Sequence, residues 1–202
     1  MKTSLILTVA LLLNCLFPVR SFSQISEEES AIIISMKDKE KLTYDVYYSL
    51  NEKYNSDIFK KMIQNELQHK ELSAGLAGKF GINISVNSDN EVGKFSNPKD
   101  QNIYDEMMRY GGYSLLDAFR AGARMEEINI SEQSDYISKS SDEEVIKVFE
   151  IIEKGSEEQL RTFVRELQEE GITYKPNKLS QEEYDRIVSV KDENKAKKDK
   201  NN

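Results

Sequence analysis

The chain has 202 residues and a net charge of -8, with 38% hydrophobic and 32% charged residues. This length is sufficient for one domain with a substantial core. The acidity argues against nucleic acid and against an anionic membrane surface as partners, because both would repel the protein.

The N-terminal 23 residues have the pattern of a secretory signal peptide. Lys2 precedes an apolar run from Leu5 to Phe17, which is short for a membrane-spanning helix. Small residues at Ser21 and Ser23 predict cleavage after Ser23 and export of a soluble protein to the periplasm, the cell surface or the medium.

Two alternatives to this signal peptide stay open. A lipoprotein signal would use Cys15, although Asn14 stands where a small residue is expected, and an uncleaved anchor is the other alternative. Cleavage after Ser23 would remove Lys2, Arg20 and the only cysteine, giving a mature net charge of -10. Any metal ion would then be bound by oxygen and nitrogen ligands alone.

Residues 24–188 predict four long helices with polar joints, because apolar residues recur every three or four positions and no segment alternates as a strand would. The predicted helices run from Ser26 to Tyr54, from Ile58 to Phe80, from Ser114 to Ile128 with a continuation to Ser138, and from Asp142 to Glu170. This pattern favours an all-α four-helix bundle with a long connection between the second and third long helices. Residues 189–202 are almost all polar and are predicted to be a disordered charged tail.

Shorter features complete this prediction. The connection of residues 82–100 is rich in Asn, Ser and Gly, and a short helix is expected from Lys99 to Tyr110. The predicted caps are a capping box of Ser26 with Glu29, an N-cap at Asp57, and a second box of Ser180 with Glu183 opening a terminal helical turn over Leu179–Val188.

A metal-ligating side chain interrupts the apolar stripe of each long helix. Glu66 and His69, the only histidine, stand three residues apart and therefore share one face of the second helix. The other interruptions are Glu40, Glu126 and Gln159. Any one of them has an ordinary alternative, since a Glu beside an apolar stripe usually reaches water and a lone His is usually structural. Four interruptions together favour a metal site, because buried carboxylates repel one another without a cation.

The stripes also suggest an arrangement of ligands. Glu40 and His69 would be terminal ligands of one ion, with Glu66 as a bridge. Glu126 would be terminal on a second ion, and Gln159 would be a weak ligand or would hydrogen-bond a bound water.

Two further residues belong to this hypothesis. Tyr47, two turns beyond Glu40, is a candidate catalytic residue that would hydrogen-bond a ligand carboxylate or act as a redox-active neighbour, and a plain core aromatic is the alternative. Glu127 replaces Glu126 as the ligand if the third long helix is rotated by one residue.

The order of these blocks resembles a ferritin-like family known as domain of unknown function 2202. The blocks are Glu40-Lys41-Leu42, Asp45-Val46-Tyr47, Phe59 with Ile63 and Glu66-x-x-His69, Ser114 to Ala118, Gly122-Ala123-x-x-Glu126, Gly155-Ser156 and Leu160 to Arg165. The resemblance spans about residues 27–188. It implies a ferritin-like four-helix bundle with a carboxylate-bridged metal site, and it brings no established reaction.

Two positions depart from the family pattern. Gln159 stands where the pattern has a histidine, and Asn129 stands where it has an aspartate. A symmetric di-iron site with two histidines is therefore excluded. The order also resembles the ferroxidase centre of true ferritins, which has a Glu with a Tyr seven residues on, a Glu-x-x-His, a Glu and a Gln.

The predicted function is an exported ferritin-like protein that binds one or two iron ions and oxidises Fe(II). Manganese or zinc would also suit these ligands. The alternative is a non-catalytic periplasmic or surface protein with a structural or vestigial metal site. The sequence leaves catalysis and oligomeric state open.

Overall fold

The computed structural model describes residues 25–84 and 91–190, and every helix or strand in these ranges is an α-helix. The six helices are α1 (Glu27–Tyr54), α2 (Asp57–Lys79), α3 (Pro98–Gly111), α4 (Leu115–Lys139), α5 (Glu143–Glu169) and α6 (Gln181–Ser189). The predicted all-α fold is confirmed. The predicted signal peptide, and residues 191–202 of the predicted tail, lie outside the described residues.

The helix boundaries follow local capping chemistry. The Ser26 hydroxyl accepts the Glu29 N–H at 3.1 Å, and the Asp142 carboxylate accepts the N–H groups of Glu144 and Val145 in the first turn of α5. Ser180 and Glu183 form the predicted capping box of α6. The Glu29 carboxylate also accepts the Ser141 and Asp142 N–H groups, each at 2.8 Å, and so joins α1 to the start of α5.

Two boundaries differ from the sequence prediction. Asn55 closes α1 in a left-handed conformation with φ 48°, so the extended residue that precedes α2 is Ser56, and Asp57 is already helical. The third long helix, α4, runs unbroken through Asn129. The Asn129 amide bonds the side chains of Thr43 and Glu126, so it does not compete for the backbone hydrogen bonds of its own helix.

The four long helices α1, α2, α4 and α5 pack together around one interior. Short joints pair α1 with α2 and α4 with α5, and the pairs meet where α1 contacts α4 and α2 contacts α5. Helix α3 lies in the long connection and packs outside, against α1 and α4. None of the helices within the described ranges is long and apolar enough to cross a membrane.

The interior contains two apolar clusters. The first includes Leu50, Tyr47, Phe59, Phe119 and Phe163, and the second includes Ile33, Met36, Leu76, Phe149 and Ile152. On α1, α2 and α5, polar buried residues come between the members of the two clusters, whereas Glu126 on α4 lies among members of the first cluster. We call this set, Glu40, Glu66, His69, Glu126 and Gln159, the polar layer.

The C-terminal segment, residues 172–180, is held against α4 by one carboxylate. Glu127 is fully buried and accepts the backbone N–H groups of Asn177, Lys178 and Leu179 at 2.6–2.9 Å. It also accepts the Tyr174 hydroxyl. Glu127 therefore fastens this segment and α6 to the bundle.

Candidate metal centre

Three residues of the polar layer converge in the middle of the bundle. Glu40 comes from α1, and Glu66 and His69 come from α2; one ligand atom from each lies within 4.8 Å of the others. His69 Nδ1 lies 3.3 Å from Glu40 Oε2 and 3.7 Å from Glu66 Oε1. All three side chains are buried, so the i, i+3 pair seen in the sequence faces the interior as predicted.

A glycine on α5 makes room for the imidazole. A Cβ added to Gly155 would lie 2.4 Å from His69 Nε2, a distance that no Cβ can adopt without displacing its neighbour. Any other residue at position 155 would therefore push His69 away from its present place. Gly155 is a positioning residue that periodicity alone did not single out, although it occurs in the block Gly155-Ser156.

Two glutamines orient the carboxylates from the opposite helices. Gln159 on α5 donates from Nε2 to Glu66 Oε1 at 2.6 Å. Gln133 on α4 donates from Nε2 to Glu40 Oε1 at 3.4 Å. Gln133 was missed in the sequence, although it stands seven residues after Glu126 and therefore on the same face of α4.

Glu126 lies in the same interior but outside the three-residue cluster. Its Oε1 accepts the Tyr47 hydroxyl, and its Oε2 accepts Asn129 Nδ2 at 3.2 Å. Tyr47 thus contacts a carboxylate of the polar layer on α4, the hydrogen bond that the sequence hypothesis offered as one of its two roles. Glu127, the alternative to Glu126, faces the C-terminal segment instead.

The polar layer contains several buried atoms that could bind a cation. Glu40 Oε2, Glu66 Oε2, His69 Nδ1 and Gln159 Oε1 make no hydrogen bond of good geometry, although His69 Nδ1 and Glu40 Oε2 lie 3.3 Å apart. Buried polar atoms are nearly always paired, and an unpaired one destabilises the fold by about 1–3 kcal/mol. Two carboxylate oxygens and an imidazole nitrogen are ligands of Fe(II), Mn(II) and Zn(II). The donor set therefore fits a divalent cation.

The electrostatics of these groups agree with this fit. Burial raises the pKa of Glu40 to about 7, and the charge of Glu66 adds to the rise. Burial alone would lower the pKa of His69, but the adjacent carboxylates of Glu40 and Glu66 outweigh it and raise the pKa to about 11. Burial, followed by the charge of Glu66, raises the pKa of Glu126. A cation would replace the protons that these groups retain, so its binding should release protons.

Other buried charges near the polar layer already have protein partners. Lys39 bonds Asp100 at 2.5 Å and lies 3.3 Å from Glu132. Lys41 bonds Asp45 at 2.6 Å, and the same carboxylate accepts the Gly93 N–H. These lysines are therefore engaged elsewhere and do not neutralise the three-residue cluster.

The fold and this cluster define a helical-bundle protein with a buried carboxylate and histidine site. Residues 29–191 match the uncharacterized protein domain DUF2202, and the chain belongs to that family, as the resemblance predicted. It is 38% identical over 165 residues to the uncharacterized protein MJ0754 of Methanocaldococcus jannaschii, covering 82% of this chain and 89% of that protein.

A solved structure is similar to the whole bundle. The crystal structure of hypothetical protein MJ0754 from Methanococcus jannaschii has a TM-score of 0.80 to this chain and 37% sequence identity. The similarity covers 84% of this chain and 96% of the other. Both comparisons therefore find the same relative, MJ0754, whose likeness extends over most of this chain and whose name states no activity.

Proposed function

We propose that this protein binds a divalent metal ion, with iron as the leading candidate, at Glu40, Glu66 and His69 within a ferritin-like bundle. The observation that carries the proposal is the set of unpaired buried ligand atoms on these three residues. Without a metal ion, only a protonated His69 would offset the charges of the Glu40 and Glu66 carboxylates in this poorly solvated interior.

The ligands suggest which ion is preferred and what it supplies. Oxygen-rich sites favour Fe(III), while one imidazole helps to retain Fe(II), so an iron ion here could change oxidation state. Manganese or zinc would fit the same donors. Gln159 and Gln133 would hold the two carboxylates in place through the oxygens that they already contact.

A second ion would need Glu126 and Gln159. Glu126 is bonded to Tyr47 and Asn129, so it would have to give up at least one of these bonds to become a ligand. Gln159 would offer its unpaired Oε1. We expect one tightly bound ion and a weaker second ion.

Fe(II) oxidation is the activity that we propose for this site. Fe(II) is then a substrate that gives one electron per ion to oxygen or peroxide. The Tyr47 hydroxyl donates to the Glu126 carboxylate and would hold it in place. We further propose that the protein acts after export, since its first 23 residues have the pattern of a signal peptide.

Metal titration of a Glu66→Gln variant tests the metal site. Protein stripped with EDTA would be titrated anaerobically with Fe(II), and bound iron measured by mass spectrometry. We expect wild type to bind one ion tightly and the variant to bind it at least about tenfold more weakly. The control is Glu71→Gln, an exposed glutamate of the same helix, which should bind like wild type. Equal binding by wild type and Glu66→Gln would contradict the proposal.

A non-catalytic role is the second candidate, and one observation favours it. Gln159, a weak ligand, stands where the family pattern has a histidine, and its Nε2 already donates to Glu66, so a second ion would have few strong ligands. Oxygen consumption after Fe(II) addition separates the two functions. If wild type and Tyr47→Phe both bind the metal and neither consumes oxygen, the result would support a structural metal site and contradict Fe(II) oxidation.

A further inference from the structure

A concavity lies on the flank of the bundle, and no residue of the polar layer lines it. It has a volume of about 300 Å³ and lies between the second half of α3, the first half of α4 and the C-terminal segment. This volume is at the lower end of the range of small-molecule sites. Met107 and Ala121 are almost fully buried and form an apolar floor, and the half-exposed Tyr110 is at the rim.

The concavity contains a cation with an unmet donor. Arg124 contributes to the lining, and its Nη1 is buried without a hydrogen-bond partner. The neighbouring Arg120 differs, because its Nη1 donates to Asp117 at 2.5 Å. A guanidinium is always charged, and a buried donor left unpaired destabilises a protein. An anion in the concavity would compensate the charge of this guanidinium.

The surrounding side chains add charge, flat surfaces and rigidity. The lining has three cationic side chains and two carboxylates, namely Arg120, Arg124, Lys175, Glu106 and Asp117. The ring of Tyr174 lines the space together with that of Tyr110. Tyr174 is fixed by its bond to Glu127, and the backbone of the same segment is fastened at Asn177. The wall is therefore preformed, which reduces the entropy lost on binding.

We propose that this pocket binds a small organic anion, namely a carboxylate or phosphate group on a flat apolar body. Arg124 pairs with the anionic group, and Tyr110 and Tyr174 flank the flat body. The site is separate from the metal centre and does not depend on the function proposed for it.

Nuclear magnetic resonance titration of the EDTA-treated protein tests the pocket with four probes. Benzoate and phenyl phosphate carry both features, benzyl alcohol lacks the charge, and inorganic phosphate lacks the apolar body. We expect benzoate or phenyl phosphate to shift the resonances of residues 106–124 and 174–177 at millimolar concentration. Benzyl alcohol and inorganic phosphate should bind at least about tenfold more weakly, because each loses one class of contact.

Variants then locate the anionic group. Arg124→Gln should weaken benzoate and phenyl phosphate at least about tenfold. Lys154→Gln, which removes one positive charge from an exposed position on α5, should bind both like wild type. Equal binding by Arg124→Gln and wild type, shifts elsewhere on the protein, or no binding of either anion would overturn the proposal. If Arg124→Gln does not fold, equal binding of benzoate and benzyl alcohol to wild type would overturn it.

Discussion

Two consecutive glutamates of α4 are fully buried, yet they have opposite environments. Glu127 turns to the outside of the bundle and accepts four hydrogen bonds from the C-terminal segment. Glu126 turns to the interior, where it accepts two side-chain hydrogen bonds and faces the charge of Glu66. A step of one residue on a helix therefore separates a carboxylate that fastens the C-terminal segment from one in the polar layer.

The difference shows how a buried carboxylate whose oxygens are all hydrogen-bonded differs from one that keeps a free oxygen. Three backbone N–H groups converge on Glu127, so its charge is stabilised by fixed dipoles and its oxygens are occupied. Glu40 and Glu66 each keep one oxygen without a partner. Hydrogen-bond saturation, and not burial, distinguishes the two kinds of site.

The largest effect is expected from removing the saturated carboxylate. Glu127→Ala leaves three backbone N–H groups and the Tyr174 hydroxyl without their acceptor, and should lower the free energy of unfolding by about 3 kcal/mol. Tyr174→Phe, which removes only one of these bonds, should lower it by about 1 kcal/mol. Urea unfolding followed by circular dichroism measures both. A loss below 1 kcal/mol for Glu127→Ala would contradict the claim that the hydrogen bonds to this carboxylate stabilise the fold.

The next effect concerns the place of His69 in the polar layer. Gly155→Ala puts a Cβ where the imidazole now lies and should weaken metal binding about tenfold. Gly75→Ala is the matched control, because its Cβ meets nothing within 4 Å. It should raise the free energy of unfolding by about 1 kcal/mol and leave metal affinity unchanged. Calorimetric titration with Fe(II) or Mn(II) decides, and equal affinities for the two alanine variants would refute the role of Gly155.

A smaller effect of opposite sign is expected at Glu126. Glu126→Gln removes a carboxyl group whose ionisation is opposed by burial and by Glu66, so the metal-free protein should gain about 1 kcal/mol. The measurement is urea unfolding in EDTA at pH 7. A loss of stability would mean that the negative charge of Glu126 is compensated within the bundle after all.

The smallest effect is pH-dependent and involves a third saturated carboxylate. The hydrogen bond from the Ser141 N–H, assisted by that of Asp142, lowers the pKa of Glu29. The unfolded chain therefore binds this proton more readily, and the stability that Glu29 contributes is present above its unfolded pKa and lost as pH falls through its folded pKa.

Glu29→Gln makes this contribution measurable. The variant should be less stable than wild type by about 0.5 kcal/mol at pH 7, the size of a charge at a helix N-terminus. The difference should shrink as pH falls below the unfolded pKa of a glutamate, about 4.3, and vanish below the lowered folded pKa, where both side chains are neutral. A difference that persists unchanged at low pH would show that charge is not what Glu29 contributes.

The sequence was informative wherever local rules apply. The helices follow from periodicity, and the Ser180 and Glu183 cap follows from a spacing of three. The convergence of Glu40 with Glu66 and His69 was also predictable, because mid-helix polar residues on packed stripes must meet when helices lie alongside one another.

The remaining features depend on distances along the chain that no local pattern encodes. Glu127 is about 50 residues from the N–H groups that it accepts, and backbone donors leave no mark in the sequence. The bond from Gln133 to Glu40 joins residues 93 positions apart. The rotation of α4 about its own axis determines whether Glu126 or Glu127 faces the interior. Helix packing sets this rotation, and the pattern of apolar residues predicts it only to within one residue.

The position of the polar layer between two apolar clusters has a consequence for how mutations combine. Phe149 and Phe163 are both on α5 but belong to different clusters, about 21 Å apart along the helix. Phe59 and Phe163 share a cluster, with ring centroids 5.6 Å apart. Truncations at Phe149 and Phe163 should therefore be additive in free energy, whereas truncations at Phe59 and Phe163 should not, since they enlarge one shared cavity. The effect of a substitution in one cluster on stability would then be independent of substitutions in the other cluster.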